Sequence, residues 1–136
     1  MRDALSTVAH TPVIGEVAQA EALHAMGSFY VRQGFPKQGL ALLLAAHKFD
    51  VPSIELNRAI AHAYVLAGVP QKALAMLDAL TPTNEDETMR RASNRLRARA
   101  LLSMGKVTEA KAAYAASMKQ GEASTMKKFA VSRRAQ

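Results

Sequence analysis

The sequence predicts an all-α protein, a right-handed α-solenoid of three stacked helical hairpins. Three observations predict it: a composition that favours helix, glycine and proline falling at intervals, and self-similarity at a fixed period. Hydrophobic residues make up 49% of the 136-residue sequence, mostly Ala and Leu, while aromatics supply only 5%. Alanine and straight-chain residues lose little side-chain freedom in a helix, so this mixture disfavours sheet. The seven Gly and five Pro are spread as punctuation. The length suits one domain.

The self-similarity is read by aligning Gly34 on Gly68. Tyr30 then falls on Tyr64, Pro36 on Pro70, Leu43 on Leu77, and small Gly27 and Gly39 on small Ala61 and Ala73, all 34 residues apart. A third copy is centred on Gly105 at an offset of 37, with Ala98, Leu101, Ala110 and Tyr114 in the small, large, small and large positions. The polar segment 81–88 takes up the three extra residues. A period in this range is the signature of a stacked repeat, because one hairpin cannot cover its own apolar face.

Each unit reads as two helices. The first closes on a Gly, which accepts positive φ at a helix end. The second opens on Pro36 or Pro70, where a missing N–H costs little. The spacing predicts helices at about 12–33, 36–48, 53–67, 70–80, 88–104 and 107–120, the first N-capped by Thr11 before Pro12. The domain is then a single unit over 1–136. Repeats fall at about 20–53, 54–87 and 91–121, after a helical extension at about 12–19. Residues 122–136 form a basic helix or tail. Ala123, Met126, Phe129 and Ala130 would share one face of a seventh helix over 122–132 and cap the stack.

Charge is uneven. Residues 1–89 hold six Lys/Arg and nine Asp/Glu, whereas residues 90–136 hold twelve Lys/Arg against Glu109 and Glu122 alone. Within that half, Arg91, Arg95 and Arg99 share one helical stripe, since residues four apart are neighbours. Their mutual repulsion does nothing for helix stability. Either the stripe is a solvated face or it meets an acidic partner. Nucleic acid is the rival, but Tyr30, Tyr64 and Tyr114 fall at packing positions, which leaves that reading without stacking aromatics.

Catalytic signals are poor. There is no Gly-rich phosphate loop, no nucleophile elbow and no His-Glu-x-x-His. The four histidines show no ligand spacing, and there is no cysteine for thiolate chemistry or disulfides. The expectation is a protein that is not an enzyme and holds neither metal nor cofactor. No run approaches the roughly 18 apolar residues of a membrane span, and residues 1–7 begin no signal peptide, so a cytoplasmic protein is expected. The seven methionines read mostly as packing residues, with Met26 at a core position. The alternative is an adaptable Met-rich binding surface.

A helix–turn–helix unit of this length, with a small residue three before Tyr30 or Tyr64 and a small residue four before Leu43 or Leu77, resembles the tetratricopeptide repeat. The resemblance covers roughly residues 20–121. It departs from the pattern at Leu23, Asn57 and Asn94, where an aromatic is usual. Residues 23–30 and 73–80 are also similar to segments of the three-unit tetratricopeptide export chaperones of bacterial type III secretion.

The resemblance implies a cytoplasmic chaperone that holds one secretion component as a heterodimer, in a concave groove lined by the first helix of each unit. Implied groove residues are Glu21, His24, Ser28, Val31 and Arg32 in the first unit, and Glu55, Arg58, His62, Val65 and Leu66 in the second. The third unit supplies Ala92, Arg95, Arg99, Leu102 and Ser103. Val31, Val65, Leu66 and Leu102 would form an apolar floor, and Arg32, Arg58, Arg95 and Arg99 would clamp carboxylates. The expected partner is a protein segment with apolar anchors and acidic residues. A generic adaptor in a soluble regulatory complex is the alternative, with nucleic-acid binding behind it.

Overall fold

A computed structural model describes residues 14–80 and 87–119, all in helices and the turns between them. Helix α1 spans Ile14–Arg32, α2 Pro36–His47, α3 Ile54–Leu66, α4 Pro70–Ala79 and α5 Glu87–Ser103. A sixth, α6, runs over residues 107–119. These spans follow the expected ones to within a residue or two. Three expectations lie outside the described residues: the Thr11 cap, the loop residues 81–86, and the seventh helix at 122–132.

The turns follow from local chemistry. Gly34, Gly68 and Gly105 adopt φ of +91°, +87° and +77°, the left-handed region that a Cβ would strain. Each ends its helix in the same way, with the following amide reaching back five residues. Phe35 N–H donates to the Tyr30 carbonyl at 2.9 Å, Val69 to Tyr64 at 2.8 Å, and Lys106 to Leu101 at 3.0 Å. This is the Schellman closure, and it satisfies carbonyls the helix leaves open. Pro36 and Pro70 then start α2 and α4 in the first turn. The longer connection into α3 uses a different device. Asp50 takes φ +53°, which a short polar side chain tolerates, and the Ser53 Oγ accepts from the Leu56 amide at 3.0 Å as an N-cap.

Packing proceeds along the chain: α1 lies on α2, α2 on α3, α3 on α4, and α4 on α5, with α3 also touching α1 and α5. Val31, Leu43, Ala46, Leu56, Ile60 and Ala63 form one buried cluster among α1, α2 and α3. Ala61, Ala73, Leu77, Leu96 and Ala100 form a second among α3, α4 and α5. Tyr64 and Met76 pack against both, so the core is continuous through α3 and α4. The small positions of the repeat are buried wherever they occur: Gly27 and Gly39, Ala61 and Ala73, Ala98 and Ala110. Outside the core, the Arg97 guanidinium donates to the Asp78 carboxylate at 2.6 Å, tying α5 to α4.

Three packing expectations are corrected. Tyr30, expected to pack, is 40% exposed, its ring edge-on to Phe29 and Phe35. Met26 is 51% exposed rather than in the core, because none of the described elements covers that side of α1. Tyr114, expected to pack like Leu43 and Leu77, is 53% exposed. Its helix is the last described one, and no other described element covers the ring.

Candidate functional site: a cationic groove on α3, α5 and α6

An open groove of about 1540 Å³ lies between α3, α5 and α6. Helix periodicity builds it. On α3, Glu55, Arg58, Ala59 and His62 recur at the three- and four-residue spacing of one face. On α5, Ala92, Arg95, Leu96, Arg99 and Leu102 do the same. Helix α6 contributes Val107, Ala110, Lys111, Tyr114, Ala115, Met118 and Lys119.

The groove has an apolar bed and a cationic rim. Leu102 is 60% exposed, and Val107, Tyr114 and Met118 are each about half exposed. Arg58, Arg95, Arg99, Lys111 and Lys119 surround them, and Glu55 is the one carboxylate among the lining residues. The Arg58 Nε is buried without a hydrogen-bond partner among the described residues. His62 sits among these cations. Its pKa is lowered below the ordinary 6.5, first by burial and second by the Arg99 charge, so the imidazole is neutral at pH 7.

Of the residues expected in a groove, the structure brings together Glu55, Arg58, His62, Ala92, Arg95, Arg99 and Leu102. It does not bring the first unit to them. Glu21, His24, Ser28 and Arg32 lie on α1 away from the lining, and so do Val65, Leu66 and Ser103 on their own helices. Val31 is 7% exposed and belongs to the core. It turns toward Gly39, where the missing Cβ lets it approach, and so it cannot serve as a groove floor. Val65 packs beside the second cluster.

Sequence reading missed the α6 wall. The signal was present as the stripe Val107, Ala110, Tyr114 and Met118. It reads equally well as a buried face, and only the absence of a later described helix over it tells the two apart. Met118 is the one methionine of the lining, so the groove is not Met-rich.

Among the described residues no group of three or more His, Asp or Glu converges as metal ligands would. No helix among them is long and apolar enough to cross a membrane. No family model, curated protein or solved structure matches this chain.

Proposed function

We propose that the chain is a non-catalytic protein-binding module, a right-handed α-solenoid of three tetratricopeptide-type hairpins that holds a partner segment in the α3/α5/α6 groove. The observation that carries it is the groove itself: exposed Leu102, Tyr114 and Met118 ringed by five cations and one carboxylate. An amphipathic helix or extended segment with acidic residues beside apolar anchors has the complementary chemistry. Three glycine-closed turns at offsets of 34 and 37 residues support the repeat reading.

The finer reading is a cytoplasmic chaperone for an exported component of type III secretion, held as a heterodimer. It rests on the similarity of residues 23–30 and 73–80 to those export chaperones. An adaptor in a soluble complex would use the same groove.

The test places a photo-cross-linking residue at Leu102 and, separately, substitutes Arg58, Arg95 and Arg99 by Glu. In the native cell, one acidic protein is expected to cross-link at position 102 and to be lost from the triple variant. Unchanged capture by a folded triple variant would sink the groove reading. Nucleic acid is a second reading with one observation in its favour, since Tyr114 is exposed among cations rather than packed away. Cross-linking to RNA or DNA, with affinity that falls steeply with salt, would establish it instead.

A further inference from the structure

Helix α1 carries a second apolar face that none of the described elements covers. Among its nineteen residues only Glu16, Glu21 and Arg32 carry full charges, so it is apolar nearly all round, a pattern of helices covered on both sides. One side is covered: Ala20, Gly27 and Val31 are buried. The opposite side is bare. At 100° per residue, Ala18, Glu21, Ala22, Ala25, Phe29 and Arg32 fall within one stripe about 100° wide, and all six are exposed. Phe29 is 54% exposed in its centre, with no described element over it.

We propose that this face is the interface of a homodimer, in which α1 pairs antiparallel with α1 of a second copy. The stripe is complementary to itself, as a twofold interface demands. Glu21 and Arg32 lie eleven residues apart, three turns and some 20° of rotation, which sets them roughly 16 Å apart on one bearing. A twofold axis between residues 26 and 27 brings Glu21 of each copy opposite Arg32 of the other, giving two equivalent ion pairs. The same axis sets Phe29 of each copy over Ala22 and Ala25 of the other, a large side chain into a gap left by small ones. Alanines at those positions let the helix axes approach closely, within the usual 8–10 Å range of packed helices. None of these residues lines the α3/α5/α6 groove, so each copy can still pair with its own partner, and the loaded assembly is two such heterodimers joined through α1.

The proposal does not rest on the groove reading, and its test is independent of any partner. The purified chain is measured by sedimentation equilibrium and light scattering across a wide concentration range. The expected mass is twice the 14.6 kDa of one chain. Phe29→Asp is expected to give a monomer with unchanged helical circular dichroism. Arg32→Glu is expected to raise the dimer dissociation constant roughly tenfold, the weight of two rim ion pairs. Combining it with Glu21→Arg restores the native value, because the pairs re-form reversed. Arg95→Glu leaves the mass unchanged. A native chain that is monomeric at every concentration overturns the proposal. So does a dimer indifferent to Phe29→Asp, or a charge reversal that the second substitution fails to rescue.

Discussion

Gly39 of α2 lies so close to Gly27 of α1 that a Cβ on Gly39 would stand 2.6 Å from the Gly27 carbonyl oxygen. A Cβ on Gly27 would in turn meet the Gly39 carbonyl oxygen at 2.9 Å and the Leu43 Cγ at 2.7 Å. On each side the obstacle includes a backbone carbonyl, which, unlike the Val31 and Leu43 side chains, cannot swing away. Gly39→Ala is therefore expected to destabilise by about 1–3 kcal/mol through overpacking. This outweighs the gain of about 1 kcal/mol that Ala brings to a helix interior. Urea denaturation checks it, and a melting midpoint raised by the substitution would show that the helices are less closely set.

Leu102 and Tyr114 separate binding from folding. Both are more than half exposed, so truncating either to Ala is expected to shift stability by no more than about 0.5 kcal/mol. As apolar anchors of the groove they should cost the partner complex at least about 2 kcal/mol together. Calorimetric titration with the captured partner and a thermal melt of each variant measure the two effects side by side. Loss of stability without loss of affinity would assign them to packing instead.

His62 couples both properties to pH. Its folded pKa lies below 6.5, so at acid pH the unfolded chain takes up this proton before the folded one does. The contribution to stability is complete above pH 6.5 and declines as pH falls below it through the lowered folded value. His62→Gln should flatten that part of the stability profile, measured as the difference between the two chains from pH 7.5 to 5. An acidic occupant of the groove would oppose the Arg99 charge and raise the imidazole pKa again. Binding should then take up protons and tighten from pH 7 to 6. An affinity that is constant over that interval counts against an acidic contact near His62.

Ile60 tests the continuity of the core. It is fully buried in the first cluster, one position before Ala61 of the second. Ile60→Ala is expected to cost about 2–5 kcal/mol. One cooperative transition should persist in chemical denaturation, with its midpoint lowered; a split into two transitions would show that the clusters fold separately.

The Arg97–Asp78 pair gives the opposite extreme. The Asp78 side chain is 65% exposed, so Asp78→Asn should cost no more than about 1 kcal/mol, and less in high salt. A larger loss would mean that the pair fixes the approach of α5 to α4.

Much of the helix plan was written locally. Gly34, Gly68 and Gly105 mark the ends of α1, α3 and α5 because only a residue without Cβ enters that backbone region freely. Pro36 and Pro70 mark starts because their fixed φ already suits a first turn. The burial of Gly27, Gly39, Ala61 and Ala73 was legible as well, since small residues at a fixed period are spent where helices cross. Half of the groove was visible for the same reason: Glu55, Arg58 and His62, and Arg95, Arg99 and Leu102, keep the spacing of single helix faces.

Which faces meet which was not written locally. Val31 and Arg32 are adjacent positions assigned alike from the sequence, yet one is core and the other is exposed. The rotation of α1 on α2 decides it, and the contact at Gly39 fixes that rotation. Tyr114 and Leu77 hold the same register, yet one lies open in the groove and the other is buried, because a described helix packs over Leu77 and none over Tyr114. Local sequence determined where helices begin, end and can approach. The tertiary structure decided which apolar faces were left over, because burial depends on neighbours distant in the chain.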